Sequence, residues 1–261
     1  MTSEAPILYE VTDNVGSVIF NRPERHNALD DEASALFAET LLRARDDDEA
    51  RVIILRGNGP SFCSGRDTAA LGQRATGLSD FQHLSRSLRR KLDMLDIQKP
   101  LIAELKGHAI GGGFETALKC DIRVAAADAK LSLPEIKWGI MTDSGGSVIS
   151  TALAGPGRAK YLLMTGDTIT GAQAHEWGLV DFVCAPEELQ ATTFAIAKKI
   201  AEQPPMHVAM AKQLVDGIYG DLIRRGLRNE MVSLTALYKS EDYQEARAAR
   251  REGRKPTYKG R

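Results

Sequence analysis

The stretch from Gly107 to Glu115 reads Gly-His-Ala-Ile-Gly-Gly-Gly-Phe-Glu, and it constrains the fold more than any other part of this chain. An apolar strand pattern over residues 101–105 precedes it, and a helical pattern follows it at once. Adjacent glycines leave their backbone N–H groups unshielded, and N–H groups at a helix N-terminus attract negative charge. The stretch therefore predicts a strand, a glycine-rich turn and a helix that begins at a site for an anionic group.

Two carboxylates accompany the glycines: Glu115 directly after them and Glu135 after Pro134. A bound anion would repel such a carboxylate unless the carboxylate acts on another part of the same substrate. The pattern thus indicates chemistry that develops an oxyanion at one atom and moves a proton at a neighbouring one. Taken singly, each glutamate is equally well explained as an acid in the first turn of a helix.

The rest of the chain alternates between short strands and helices, without repeats clear enough to indicate a solenoid. Strands are predicted at 7–11 and 15–20 (a hairpin), 52–55, 101–105, 122–126, 130–133 and 179–183. The main helices are predicted at 27–45, 81–95, 146–153, 157–164, 170–178, 189–202, 206–219 and 221–243. A short helix is predicted to start at residue 68, a loop over 72–80, and a basic extended tail from residue 250.

Composition excludes several classes of protein. The 34 basic and 35 acidic residues give a net charge of −1, whereas a nucleic-acid surface needs a basic excess. The three cysteines are odd in number and widely spaced, which argues against disulfides and a zinc site and favours a reducing compartment. No apolar run approaches the ~20 residues of a membrane helix, and the first residues lack a signal peptide pattern. We therefore expect a cytoplasmic protein without membrane or nucleic-acid partners.

Several motifs in this order resemble the enoyl-CoA hydratase/isomerase (crotonase) family over nearly the whole chain. They are Asn21-Arg-Pro, Asn27-Ala-Leu, Phe62-Cys-Ser-Gly-Arg-Asp67, Gly111-Gly-Gly-Phe-Glu115, Pro134-Glu135, and the ending from Ser240-Glu-Asp242 to Lys255-Pro-Thr-Tyr-Lys-Gly260. The resemblance implies an α/β crotonase-like spiral of short ββα turns over 1–203 and a helical trimerisation region over 204–261. It also implies an acyl-CoA thioester substrate, a homotrimer or a dimer of trimers, no metal, and no cofactor beyond the coenzyme A of the substrate.

The same resemblance assigns roles to residues. The backbone amides of Arg66 and Gly112 correspond to the family's oxyanion hole, and Glu115 and Glu135 to the glutamate pair of its hydratases. Most relatives carry a small residue where Arg66 stands, so its side chain must either leave the pocket or serve it. By position in the family's motifs, residues expected to contact the substrate or its coenzyme A are Arg25, His26, Ala28, Ser64, Gly65, Trp138, Lys255 and Lys259. A solvated tail explains the two lysines equally well.

Asp143 stands where ordinary short-chain hydratases carry glycine. An aspartate at this place resembles dienoyl-CoA isomerases, aryl-CoA dehalogenases and carnitinyl-CoA dehydratases. The run from Pro134 to Gly146 is most similar to the carnitinyl-CoA dehydratases. Asp143 is therefore expected to be catalytic or to contact the distal acyl end, and the alternative is an N-cap before Ser144-Gly-Gly.

The predicted function is a hydro-lyase that adds water across the C2–C3 double bond of a 2-enoyl-CoA. One alternative is a double-bond isomerase that uses Glu135 and Asp143 as proton shuttles. A second alternative is a trimeric acyl-CoA-binding protein without catalysis. The sequence does not identify the acyl group, whose walls are expected from the 72–80 loop, Phe114, Trp138 and the C-terminal helices.

Overall fold

A computed structural model describes residues 5–68 and 79–261, except for the side chains of residues 80, 81, 83 and 84. The strands are β1 (Ile7–Thr12), β2 (Val15–Phe20), β3 (Val52–Gly57), β4 (Leu101–Leu105), β5 (His108–Ile110), β6 (Ile122–Ala126), β7 (Lys130–Ser132), β8 (Thr168–Thr170) and β9 (Phe182–Cys184). The helices are α1 (Asp31–Asp46), α2 (Asp80–Leu95), α3 (Gly112–Leu118), α4 (Gly146–Thr165), α5 (Gly171–Glu176), α6 (Leu189–Ala201), α7 (Pro205–Leu237) and α8 (Glu241–Glu252). The helix predicted from residue 68 and most of the 72–80 loop lie outside the described residues.

Two sheets organise the described part of the chain. The larger sheet has the order β1-β2-β3-β4-β6-β9, in which β1 and β2 are antiparallel and every later pair is parallel. The smaller sheet has the order β5-β7-β8. The chain therefore steps from β4 in the large sheet to β5 in the small sheet and then into α3. The next strands, β6 and β7, repeat that step, which produces the turns of a ββα spiral.

The core lies between the large sheet and the helices that cover it. All five residues of β4 are buried, as are the four residues 52–55 of β3, because parallel strands in this position are covered on both faces. The rings of Phe20 and Phe62 meet edge to face, with centroids 5.3 Å apart. This core fixes the strand ends from which the glycine stretch begins.

The hairpin of β1 and β2 confirms its prediction, while the first helix begins later than predicted. Asn27 has a left-handed backbone, with φ of 59°, so the helix cannot start there. It begins instead at Asp31, where the side chain of Asp30 accepts a hydrogen bond from Ala33 N at 2.9 Å. Strands β5 and β8 were not predicted, because each is short and runs directly into residues predicted as a glycine-rich turn or as the start of a helix.

The C-terminal helices differ from the prediction. A break near Gly220 was expected, but α7 passes through it without interruption and runs from Pro205 to Leu237, 33 residues in all. Helix α8 then runs to Glu252, past the predicted start of the extended tail. The tail folds back on α8, where the carboxylate of Asp242 accepts hydrogen bonds from Lys259 N and Gly260 N at 2.7 and 2.8 Å.

Helix α7 packs on α2 and α4, so the C-terminal region is attached to the spiral rather than separate from it. The division into 1–203 and 204–261 falls between α6 and α7 and stays a prediction. Neither α7 nor any other helix in the described ranges is long and apolar enough to cross a membrane.

Candidate active site

A cavity of about 680 Å³ opens between α1, α2, α3 and the C-terminal helices. Six of the residues predicted to form the site line it: Gly65, Arg66, Gly112, Glu115, Glu135 and Asp143. They come from four separate segments of the chain, and the two sheets determine how those segments meet.

The segment with Gly65 lies directly against the start of α3. Gly65 has φ of 83°, and a Cβ there would lie 2.5 Å from Ile110 O and 3.1 Å from Gly112 N. Gly112 is the first residue of α3, so its N–H has no acceptor within the helix. The backbone at 65–66 and the N–H of Gly112 therefore meet at one end of the cavity.

The Arg66 side chain leaves the place where its backbone and Gly112 meet. Its guanidinium forms an ion pair with Asp31 Oδ1 at 2.6 Å, at the first turn of α1. The sequence left open whether this side chain leaves the pocket or serves it. The ion pair shows that it turns toward the rim of the cavity.

The other two glycines of the triplet are required for close packing. Gly111 has φ of 53°, and a Cβ there would lie 2.9 Å from Glu135 Oε1. A Cβ on Gly113 would lie 2.1 Å from Cys63 O, closer than any side chain allows. The triplet therefore brings α3 onto the 63–65 segment at one side and onto Glu135 at the other.

Glu115 is held inside the cavity wall by the loop before α4. The residue is 1% exposed, and its Oε1 accepts hydrogen bonds from Ser144 N at 2.7 Å and Gly146 N at 3.0 Å. Burial, together with the charges of Glu135 and Asp143, raises the pKa of Glu115 well above its usual range. Because the two amides occupy Oε1, a proton on this carboxyl resides on Oε2.

Glu135 lies in the 3-10 turn Glu135–Trp138 and presents a buried oxygen to the cavity. Its Oε2 has no hydrogen-bond partner within the described part of the chain. Burial is the main cause that raises the pKa of Glu135 to about 7, and the charges of Asp143 and Glu230 add to it. Buried oxygens of this kind normally have a partner, so Glu135 Oε2 is suited to accept a hydrogen bond from a small substrate molecule.

Asp143 forms an ion pair with Lys91 of α2, and the two atoms Nζ and Oδ2 are 2.7 Å apart. Burial acts to raise the pKa of Asp143, but the Lys91 ammonium and the hydrogen bond from Ser144 Oγ outweigh it and hold the pKa below its usual range. The N-cap alternative was wrong, because Gly145 occupies the N-cap of α4 and no side chain caps it. Asp143 is thus an ionised group beside the two glutamates.

Charged residues that were not predicted include Lys91 and Lys119 in the cavity wall and Glu230, which binds the 142–147 loop. Lys119 lies one helical turn beyond Glu115, a spacing that the sequence shows and that could have identified it. Lys91 and Glu230 come from α2 and α7, so only the tertiary packing brings them to the 142–147 loop.

The residues predicted to contact coenzyme A at the start of the chain and before Gly65, which are Arg25, His26, Ala28 and Ser64, lie beside the cavity rather than in its wall. Ser64 N donates to His26 O at 3.0 Å, and Arg25 pairs with Asp67 at 3.0 Å. Ala28 is buried. These residues therefore support the backbone on which Gly65 and Arg66 sit, and a direct contact of theirs with coenzyme A stays a prediction.

Trp138, Lys255 and Lys259 also lie away from the described wall of the cavity. The guanidinium of Arg250 covers the Trp138 ring at 3.2 Å from its centroid. The two lysines are exposed, and Lys259 lies 3.7 Å from Glu241. Their contact with a substrate stays a prediction.

Comparisons with known proteins agree with this arrangement. The family model described as enoyl-CoA hydratase/isomerase matches residues 10–261. The (E)-benzylidenesuccinyl-CoA hydratase of Thauera aromatica is 33% identical over 261 residues, covering 98% of this chain and 99% of that protein. A carnitinyl-CoA dehydratase of Salmonella enteritidis is 33% identical over 266 residues, covering 100% and 98% of the two chains.

Solved structures give the same result for the fold. A crystal structure of an enoyl-CoA hydratase/isomerase from Pseudoalteromonas atlantica matches with a TM-score of 0.87 and 27% identity, covering 98% of this chain and all of that one. An enoyl-CoA hydratase from Mycobacterium avium subsp. paratuberculosis matches with a TM-score of 0.85 and 26% identity, covering 98% and 99%. The crotonase-like α/β fold with a helical C-terminal region is confirmed.

Proposed function

This chain belongs to the enoyl-CoA hydratase/isomerase family, and from that premise we propose that it adds water across the C2–C3 double bond of a 2-enoyl-CoA. The observation that carries the proposal is the pair of glutamates in one cavity, one anchored and one with an unpartnered buried oxygen. Glu115 is fixed by two backbone amides, whereas Glu135 Oε2 has no partner among the described residues.

The thioester oxygen binds at the end of the cavity where the backbone of Arg66 meets the N–H of Gly112. Fixed N–H donors stabilise an enolate oxygen without reorganising, and one such donor lowers the barrier by about 3 kcal/mol. In this pose the acyl chain continues along α3 toward Glu115, three residues further on the same helix. The reaction needs no cofactor apart from the coenzyme A that the substrate carries.

The two carboxyls divide the proton transfers. Glu135 has a pKa near 7 and its Oε2 has no partner among the described residues, so we assign it as the base that takes a proton from water. The water oxygen bonds to C3, and the electrons of the double bond move onto the thioester oxygen. Glu115 then delivers its Oε2 proton to C2, and exchange with solvent returns the proton from Glu135 to Glu115.

The isomerase alternative would use Asp143 as a proton shuttle, and the Lys91 ion pair disfavours it. A carboxylate whose pKa is held below its usual range is a weak base and seldom carries a proton at neutral pH. Turnover in oxygen-18 water separates the two reactions. Label at C3 supports hydration, and a shifted double bond without label would favour the isomerase.

Hydration of a panel of enoyl-CoA esters by wild type, Glu115→Gln and Glu135→Gln tests the proposal. Each substitution is expected to lower kcat by about 10²–10⁴-fold, the usual contribution of a general acid or base. Glu104→Gln is a matched control, since Glu104 is another buried glutamate with a raised pKa but does not line the cavity. Turnover within a few-fold of wild type in either test variant would disprove the two-glutamate mechanism.

Failure of every acyl-CoA to bind in a calorimetric titration would favour the non-catalytic alternative.

Self-association is part of the proposal, as a homotrimer or a dimer of trimers. Helix α7 exposes a row of large apolar side chains four residues apart: Met206, Met210, Leu214, Ile218 and Leu222. An exposed apolar row of this size is typical of a protein interface, and we assign it to a second copy of this chain.

A further inference from the structure

Lys119 is a cation in the wall of the candidate active site. No hydrogen bond or ion pair joins its Nζ to a residue in the described ranges, although it lines the same cavity as Glu115 and Asp143. A lysine at a helix C-terminus also complements the helix dipole, but an exposed position would serve that purpose at less cost.

The two carboxyls whose charges act on Lys119, those of Glu115 and Asp143, also bind other groups. Glu115 lies one turn before Lys119 on α3, yet its Oε1 binds the amides of Ser144 and Gly146. The carboxylate of Asp143 pairs with Lys91 at 2.7 Å. The cluster of Lys91, Lys119 and Asp143 therefore carries one excess positive charge whenever Glu115 holds its proton. Burial lowers the pKa of Lys119 to about 8, so the amine is still mainly charged at neutral pH.

Three residues of α3 lie in the order in which a bound acyl chain would meet them. Gly112 begins the helix, Glu115 follows, and Lys119 is its C-cap residue. Residues four apart on a helix lie on the same face, about 5–6 Å from each other. An acyl chain with its thioester at Gly112 and its reacting carbons at Glu115 thus directs its distal end toward Lys119.

The structure has space for an acyl chain beyond Lys119. A second cavity of about 1150 Å³ adjoins the first, and the two share Met94, Ile97 and Lys119 in their walls. The distal end of an acyl group therefore meets Lys119 beside the apolar side chains of Met94 and Ile97. This arrangement favours a chain that is apolar along its length and anionic near its end.

We infer that the preferred substrate is an enoyl-CoA whose acyl chain carries a second, free carboxylate, and that Lys119 binds this carboxylate. The inference rests on the proposed function for the direction of the acyl chain. It names a specificity residue and leaves the chemistry at C2 and C3 to the glutamates.

Calorimetric binding of saturated acyl-CoA pairs tests it without turnover. Each pair matches a carboxyl-terminated chain with a methyl-terminated chain of equal length: succinyl with butyryl, glutaryl with valeryl, and adipyl with hexanoyl. At one length, wild type is expected to bind the carboxylate at least tenfold more tightly, since a hydrogen bond to a charged group contributes about 1.5–3 kcal/mol. Lys119→Met should abolish that preference and keep the affinity for the methyl-terminated chain within a few-fold, whereas Lys119→Arg should keep the preference.

Three results would overturn the inference: no preference at any length, a preference that survives Lys119→Met, or a change of oligomeric mass in that variant. The last would show that a second copy supplies the anion. A protein that shows the preference but hydrates no enoyl-CoA contradicts the proposed function alone. A protein that hydrates crotonyl-CoA without the preference contradicts this inference alone.

Discussion

Glu230, on the long helix α7, accepts a hydrogen bond from the backbone N–H of Gly145 at 2.7 Å. The same carboxylate accepts hydrogen bonds from Ser147 N at 2.7 Å, from Ser147 Oγ and from Thr142 Oγ1 at 3.2 Å. The loop held in this way supplies the two amides that bind Glu115. Helix α7 therefore determines the position of Glu115 in the candidate active site, because its buried Glu230 carboxylate holds this loop.

Replacing Glu230 with glutamine should loosen this loop. The amide side chain keeps one acceptor oxygen but brings an NH₂ group against the donors, so we expect a loss of about 2–4 kcal/mol in the free energy of unfolding. We also expect kcat to fall at least tenfold, with the affinity for a saturated acyl-CoA within a few-fold of wild type. Asp221→Asn, an exposed change on the same helix, is the control. Equal stability of the two variants in urea unfolding would contradict this role of Glu230.

The raised pKa of Glu135 has a consequence for stability with a definite sign. The folded protein holds the Glu135 proton up to about pH 7, while the unfolded chain releases it near its usual value of 4.5. The stabilisation by this proton is complete below the pKa of the unfolded chain. It is lost as the pH rises through 7, which lowers the free energy of unfolding by at most about 3 kcal/mol. Glu135→Gln should thus unfold at higher urea than wild type at pH 8 and at nearly the same urea at pH 5. A constant difference across this range would show that Glu135 titrates normally.

The Lys91–Asp143 ion pair should behave as a coupled unit. Lys91→Met leaves the Asp143 carboxylate without its main partner, and we expect a loss of about 1–2 kcal/mol in the free energy of unfolding, which Asp143→Asn in the same chain partly restores. The exposed pair Arg45–Asp46, with atoms 2.6 Å apart, is the matched control and should show a coupling near zero. Strictly additive effects at Lys91 and Asp143 would contradict the coupling.

The sequence predicts the part of the site that local patterns encode. Glu115 follows the glycine triplet and Glu135 follows Pro134, so both stand at positions that a motif defines, and the structure places both in one cavity. The hairpin and the strands of the large sheet were predicted for the same reason, since their buried residues form short apolar runs.

What the sequence did not predict depends on contacts between distant segments. Glu230 is 85 residues from Gly145, and Lys91 is 52 residues from Asp143, so no local spacing connects them. The three-residue strands β5 and β8 exist because the small sheet pairs them with β7. Gly220 suggested a helix end, but the cost of a glycine inside a helix, about 1 kcal/mol, is small enough for α7 to continue through it.

The apolar row on α7 leads to a prediction about assembly. Leu214 and Ile218 are 76% and 74% exposed in the single chain, and they lie four residues apart on one helix face. If a second copy covers this face, the double change Leu214→Arg/Ile218→Arg places two charges in the interface and should dissociate the oligomer.

Light scattering after size exclusion should give the mass of a trimer or hexamer for wild type and of a monomer for the variant. Gln190→Arg, an exposed change on α6, should leave the mass unchanged. A monomeric wild type would disprove the assembly, and a variant that keeps the wild-type mass would show that the interface lies elsewhere.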